Sequence, residues 1–400
     1  MRILFVRNLV HPRDLGGNRY PYEVTRRLAR RGHEVRVITG SVTRITEPEP
    51  GLRVMRYPTW RGHALFTFWT NALFSRIATA IATFGWSPDV IVLSSYDVAF
   101  GHGVPRWSDD HPTAFIYHSR FHSDAVNRFL ESNAYPGRLA RRALRRFIES
   151  VQTRPLAKAD SLIAVSEYSK REIQQLAPAR EARTVVIPTG VDLTVFGPGN
   201  REAARDRLGL PRDALVLLVV GRLVPVKRFD RAIEVLRLVR TQHRGPWRLL
   251  IVGDGPENNS LRAVAAGAGV AEAVTFEGHR TGEELLLRHH ASDLQLCTSE
   301  FENWSLSLLE GLASGHIVVG TPTGGTPDLL KQVDPMLVTA DERPQTMADA
   351  VLRLVAAPQR IAAIRQRGLD VAATYSWDAI VERLDHELTR MVAGASRSSD

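Results

Sequence analysis

The chain has 400 residues, 44% apolar and 24% charged, the make-up of an ordinary soluble globular protein long enough for two cores. Its one cysteine, Cys297, excludes an internal disulfide framework and points to a reducing compartment. The net charge of +9 invites a nucleic-acid reading, but 48 of the 52 basic residues are arginine, which looks like the codon bias of a GC-rich genome, and no nucleic-acid-binding motif accompanies the charge.

The N-terminus, Met1 to Val6, is too short for a signal peptide and reads as a first strand, Ile3–Val6. A helical stretch, Tyr22–Arg31, and a strand, Val35–Thr39, follow. Later strand-like runs are Ile91–Leu93, Ala114–Tyr117, Ser161–Val165 and Val185–Pro188. A second set runs Leu215–Val220, Arg248–Val252, Val274–Phe276, Leu294–Cys297 and Ile317–Gly320. Most are short, apolar and β-branched, with helical segments between many of them. That pattern predicts two α/β domains, each a doubly wound parallel sheet covered on both faces. Gly and Pro cluster between Thr189 and Gly199, which places the domain boundary there. A last helix is expected over Trp377–Val392, and the small polar tail Gly394–Asp400 reads as disordered.

Two segments of the first half stand apart. Ala64 to Trp86 is apolar, but Asn71 and Arg76 interrupt it and weigh against a membrane span. It reads as a layer helix, or as an apolar edge carrying Phe66, Phe68 and Trp69. Arg138, Arg141, Arg142, Arg145 and Arg146 form one basic helical face, read first as a solvated face and second as a contact for an anionic membrane or acidic acceptor.

In such sheets ligands bind beyond the carboxyl ends of the strands. After the first strand come Gly16 and Gly17, where backbone without Cβ can approach a phosphate or a sugar. His118 closes the strand Ala114–Tyr117, with His122 four residues on. It reads as a structural histidine, or as a hydrogen-bonding group at a reacting sugar; no third ligand is evident for a metal. After Leu215–Val220 comes Gly221-Arg222-Leu223-Val224-Pro225-Val226-Lys227. It offers a planar fork in Arg222 and a compact charge in Lys227, which suit a diphosphate. Gly253-Asp254-Gly255 lacks the third glycine of a dinucleotide fingerprint. No Asp-x-Asp pair is present to hold a divalent metal on a diphosphate.

Glu302 and Glu310 stand eight apart in Glu302-Asn303-Trp304-Ser305-Leu306-Ser307-Leu308-Leu309-Glu310. Glu310 lies in an apolar run, where a carboxylate needs a partner. Ser305 is placed to cap a helix that Gly315 would end. The segment could offer amides to a phosphate and two acids to hydroxyls, as a sugar nucleotide requires. A buried helix whose Glu310 pairs with an arginine is the other reading.

These motifs, taken in order, resemble retaining glycosyltransferase family 4. The Glu-x7-Glu motif matches Glu302 to Glu310, and Gly-Arg-Leu-x-x-x-Lys matches Gly221 to Lys227. Val165 to Ser169, Ile187 to Asp192, Val252 to Pro256, Val274 to Gly278 and Gly324 to Asp328 also resemble family segments. The resemblance implies a GT-B fold, two Rossmann-like domains facing each other across a cleft. Residues 1–192 with the crossover helix 377–400 would bind the acceptor, and residues 193–376 the nucleotide-sugar donor.

The resemblance also implies roles. Arg222 and Lys227 would hold the donor diphosphate, with Ser305 and Leu306 at the helix start beside it, and Glu310 the ribose hydroxyls. Glu302 would contact the sugar ring, and His118 the sugar near the reacting carbon. Gly278, His279 and Arg280 would face the nucleobase, Gly16 and Gly17 would line the cleft, and Arg19 would bear on the acceptor. The implied reaction moves a sugar from a nucleotide diphosphate, a UDP-sugar before GDP-mannose, to the hydroxyl of a small-molecule or glycan acceptor. It implies neither a cofactor nor a metal, no nucleic-acid partner, and a cytoplasmic location with peripheral contact at the inner face of the membrane left open. Departures from the family pattern are Asn18-Arg19-Tyr20-Pro21 after the glycine pair, Ser305 for a frequent glycine, Gly311 for alanine, Ile317 for proline and Asp328 for glutamate.

Overall fold

The computed structural model describes residues 1–8, 19–40, 49–59, 64–102, 111–119 and 138–397. The chain divides into two compact units, Met1–Pro188 with Asp378–Asp400, and Thr189–Trp377.

The strands of the first unit are β1 (Arg2–Arg7), β2 (Glu34–Thr39), β3 (Leu52–Arg56), β4 (Val90–Leu93), β5 (Thr113–Tyr117), β6 (Ser161–Ala164) and β7 (Thr184–Val186). They form one parallel sheet in the order β3-β2-β1-β4-β5-β6-β7. β4, β5 and β6 are buried at every position, as strands of a parallel sheet covered on both faces must be. β3 was not expected from the sequence. It is an edge strand bonded only to β2, so Arg53 and Arg56 stay exposed and its apolar signal is diluted. The first helix begins at Arg19 rather than Tyr22, with Pro21 in its first turn, where a missing N–H costs nothing.

The last helix, Trp377–Arg397, buries Ile380, Val381, Leu384, Leu388 and Met391 at helical spacing. From Asp378 onward it belongs to the first unit. Arg27 pairs with Asp378 at 3.0 Å, His33 with Asp385 at 2.9 Å, and the Ser161 hydroxyl donates to Glu387 at 2.6 Å. The helix runs past Gly394, where a disordered tail was expected; alanines at 393 and 395 favour continuation.

The second unit holds β8 (Leu215–Val220), β9 (Trp247–Val252), β10 (Val274–Gly278), β11 (Leu294–Cys297) and β12 (Ile317–Gly320). All pairings are parallel, in the order β10-β9-β8-β11-β12. Leu217, Leu218 and Val219 are wholly buried at its centre, each worth about 1.5–3 kcal/mol of burial. In both sheets the chain starts in the middle, winds outward, and returns on the other side. The resulting switch points lie between β1 and β4 in the first unit and between β8 and β11 in the second.

Candidate functional site

In the second unit the loops leaving β8 and β11 meet at the switch point. Lys227 ends the β8 loop, and its Nζ donates to Glu302 Oε2 on the β11 loop. Backbone contacts sew the same loops together. The Thr298 hydroxyl donates to the Lys227 carbonyl at 2.9 Å, and the Glu300 amide to the Val226 carbonyl at 2.9 Å. Burial works against the Lys227 ammonium, but the charge and hydrogen bond of Glu302 outweigh it and leave its pKa raised, so the ammonium stays charged. Arg222, on the same loop, is exposed, and its side chain has no hydrogen bond or salt bridge among the described residues. It supplies a second cation beside the crevice.

Close backbone approach fixes these loops. A Cβ at Gly253, just past β9, would lie 1.8 Å from the Gly221 carbonyl oxygen, so only glycine fits. The Gly253 amide donates to the Gly278 carbonyl at 2.8 Å, which ties in the loop after β10. Beyond Gly278, His279 is exposed, and Arg280 Nε lies 3.9 Å from Glu277, which Arg288 holds at 2.9 Å.

Gly324 adopts φ +57°, and a Cβ there would lie 1.9 Å from the Glu302 carbonyl oxygen. The Gly325 amide donates to that carbonyl at 2.7 Å. The Gly324-Gly325 segment therefore clasps the backbone of Glu302.

The helix Leu306–Ala313 starts directly after this loop. Ser305 occupies the N-cap position, but its hydroxyl does not cap; it meets the Ser307 hydroxyl at 3.1 Å. The expected capping bond is thus corrected, because a second serine two residues on competes for that hydroxyl. Glu310 is buried on this helix. Gly311 also gains a reason: a Cβ there would lie 2.0 Å from Gln295 Oε1, and the Gln295 side chain, buried on β11, donates to the Ser307 carbonyl at 2.9 Å. Trp304, not singled out by the sequence, donates from Nε1 to the Thr189 carbonyl at 3.2 Å. It anchors the Glu302 loop to the residue where the chain enters this unit.

The first unit shows a matching arrangement at its own switch point. His118 follows β5, and Arg7 ends β1. Arg7 Nη1 donates to His118 Nε2 at 2.8 Å, to the Ser94 hydroxyl at 2.9 Å and to the Ser94 carbonyl at 3.1 Å. Burial, with the Arg7 charge, pushes the His118 imidazole well below the usual histidine range. Burial also lowers Arg7 to about 10, against the pull of Asp97. Asp97 accepts from Asn8 and Asn71, each at 2.9 Å. The Tyr20 ring stands edge-on to His118 at 5.5 Å. The sequence missed Arg7; its signal was an arginine directly after the apolar run Ile3–Val6. Arg19 starts the first helix and pairs with Glu23 at 3.1 Å. Gly16, Gly17 and His122 lie outside the described residues. Among the described residues no group of three or more His, Cys, Asp or Glu could hold a metal ion.

Known proteins resemble this chain in sequence and fold. The model described as Glycosyl transferases group 1 matches residues 200–370, and Glycosyltransferase Family 4 matches residues 16–195. A D-inositol 3-phosphate glycosyltransferase of Acidothermus cellulolyticus is 30% identical over 406 residues, covering 92% of this chain and 84% of that protein.

The chain belongs to glycosyltransferase family 4.

A D-inositol 3-phosphate glycosyltransferase of Actinosynnema mirum is 35% identical over 238 residues, 57% of each protein. The chain spans only 57%, 58% and 54% of the length of three such relatives. Among solved structures, sucrose-phosphate synthase from Thermosynechococcus elongatus aligns with a TM-score of 0.77 at 20% identity, covering 98% of this chain and 99% of that one. Anabaena Alr3699/HepE in complex with UDP aligns with 0.74 at 18% identity, covering 98% and 100%. At such identities the likeness speaks for the fold, and the two parallel α/β units are of the GT-B kind.

Proposed function

We propose that this family 4 protein is a retaining glycosyltransferase that moves a sugar from a nucleotide diphosphate to an acceptor hydroxyl. The observation that carries the reading is the Lys227–Glu302 pair across the switch point of the second sheet. One loop contributes cations for a diphosphate and the facing loop a carboxylate for sugar hydroxyls. Arg222, Lys227 and the helix start at Ser305 and Leu306 stabilise the leaving diphosphate. Glu310 takes the ribose hydroxyls, Glu302 the sugar ring, and the Gly278-His279-Arg280 segment the base. His118 is assigned to the sugar, with Gly16, Gly17 and Arg19 assigned to the approach of donor and acceptor. Residues 193–376 are the donor domain, and residues 1–192 with helix 377–400 the acceptor domain.

The C1–O bond to the diphosphate breaks while the acceptor oxygen bonds C1 on the same face. The acceptor's proton passes to the departing phosphate oxygen. This route needs neither a protein nucleophile nor a metal. Closure of the site excludes water, which would otherwise hydrolyse the donor. A UDP-sugar is the first donor to try and GDP-mannose the next. A small polyol is the first acceptor, because the family relatives carry D-inositol 3-phosphate in their names. A lipid-borne acceptor is the second reading, favoured by an exposed apolar helix face in the first unit. Incubation of nucleotide sugars with an acceptor panel, with NMR of the product's anomeric proton, tests the proposal. An inverted product, phosphate-dependent disaccharide cleavage, or donor isomerisation without acceptor would each contradict it.

A further inference from the structure

The helix Ala64–Thr83 is built inside out. A layer helix normally buries its large apolar side chains and shows water its small and polar ones. Here the buried face is Asn71, Ala72, Ser75, Ala78, Thr79 and Ala82, joined by Phe68 and, half-buried, by Phe74. The small side chains permit close packing: a Cβ at Gly101 on the adjoining helix would lie 2.4 Å from the Ala72 carbonyl oxygen. Asn71 is satisfied by Asp97 at 2.9 Å. The outer face carries the bulk instead. Trp69 is 51% exposed, Leu73 57%, Ile77 46% and Ile81 61%, and Phe84 just beyond the helix is 90% exposed. Their spacing of about four places them in one stripe, roughly 22 Å long at 1.5 Å per residue. No single exposed leucine would call for explanation, but a continuous row does.

The stripe is bordered by positive charge. Trp69 stacks on Phe147 with ring centroids 5.5 Å apart, which sets the helix Arg138–Lys158 beside it. Next to Phe147, Arg142, Arg145 and Arg146 are exposed, and Arg154 reaches over Phe100 at 5.6 Å. Arg76, seven residues after Trp69, shares its side of the apolar helix. The apolar helix has no acidic residue, and Glu149 is the one acid of the basic helix. The side chains of Phe66, Arg138 and Arg141 lie outside what the structure describes. No described helix is long and apolar enough to cross a membrane.

We propose that this face docks on an anionic lipid surface, with the helix Ala64–Thr83 lying in the interfacial plane. The stripe enters the boundary between headgroups and acyl chains, and the arginines meet anionic headgroups. Charge complementarity decides between occupants. A second copy of this chain would bring one arginine border against another, whereas an anionic leaflet neutralises both the border and the net charge of +9. Arg36 holds the helix end through the Ala82 carbonyl and stacks over Trp86 at 4.1 Å, so the face is fixed rather than formed on binding. The inference stands on the first unit and does not depend on the donor-site reading.

The test is flotation of the full chain with vesicles of phosphatidylcholine alone or mixed with phosphatidylglycerol, at low and high salt. The expected result is binding to the anionic vesicles, weakened by salt. It should fall about tenfold or more in Leu73→Ser/Ile77→Ser/Ile81→Ser, while nucleotide binding and the thermal melt stay as in the parent. Should that triple variant fail to fold, Phe84→Ser, altering the most exposed position, is the second variant. A blue shift of Trp fluorescence with anionic vesicles, absent in Trp69→Phe, is the independent readout. Equal binding to neutral and anionic vesicles would overturn the proposal. So would no vesicle binding, whether the chain is a monomer or a dimer that the triple variant dissociates.

Discussion

Arg7 Nη1 meets His118 Nε2 at 2.8 Å, and the Ser94 hydroxyl meets the same nitrogen at 3.0 Å. Toward Arg7, which can only donate, Nε2 presents its lone pair. Burial and the neighbouring cation hold the ring neutral. With Nε2 engaged by Arg7 and Ser94, the role proposed for His118 falls to its Nδ1.

Arg7→Met should raise the His118 pKa only in part, because burial, the larger cause of its depression, remains. Imidazole NMR should show His118 titrating at a lower pH in the parent than in the variant. Turnover should fall about a hundredfold, with a new acid limb in the rate profile. An unchanged His118 titration would refute the coupling.

Lys227→Ala removes the cation proposed to hold the diphosphate and leaves Glu302 with the Ser299 hydroxyl at 3.4 Å. Donor turnover should drop by about 10²–10³ while the far-UV spectrum is unaltered. On the ribose role proposed for it, Glu310→Ala should act mainly on donor KM, read in steady-state kinetics, since the ribose would be held in ground and transition state alike.

Gly324→Ala tests the clasp on Glu302. The left-handed φ of +57° and a Cβ placed 1.9 Å from the Glu302 carbonyl both oppose it. We expect a loss of about 1–3 kcal/mol by urea denaturation, together with weakened donor binding. Gly85→Ala, with a left-handed φ of +65° but nothing near its Cβ, is the control and should cost less.

Acid stability should follow two buried histidines of the second unit. His289 lies wholly buried beside His316, and the His316 ring contacts the His289 carbonyl. Burial lowers His316 to about 4 and puts His289 well below its ordinary value. Both are neutral in the folded state, whereas the unfolded chain takes up protons near pH 6.5. Between those values the unfolded state binds more protons, so stability falls as pH drops from about 6.5 to 4. His316 alone accounts for a loss of about 3 kcal/mol across that window. Carboxylates add a separate loss lower down; Glu49, held near 2 by Arg30 and Arg26, contributes as pH falls from about 4.5 to 2. Urea denaturation at pH 7, 5.5 and 4.5 should show the upper slope, and His316→Gln should flatten it.

The strands of both sheets were legible because buried parallel strands are apolar throughout, from Ile3–Val6 to Ile317–Gly320. Strand β3 was not, since Leu52-Arg53-Val54-Met55-Arg56 is partly exposed and carries two exposed arginines. Lys227 and Glu302 could be named from their motifs. That they form an ion pair could not, because their meeting depends on β11 lying beside β8. Arg7 escaped for the same reason: only the order of β1, β4 and β5 brings it to Ser94 and His118. The inverted helix Ala64–Thr83 misled differently. Its composition announces an apolar element but not which side is buried, and only packing against Gly101 and Asp97 reveals that the bulky residues face outward.

Titration calorimetry of the chain and of Lys227→Ala with UDP, GDP, ADP and dTDP bears most directly on the central claim of a nucleotide-sugar site at the β8–β11 crevice. The account predicts one clear binder whose affinity collapses in the variant. Binding that survives Lys227→Ala unchanged, or no binding by any of the four, would contradict it.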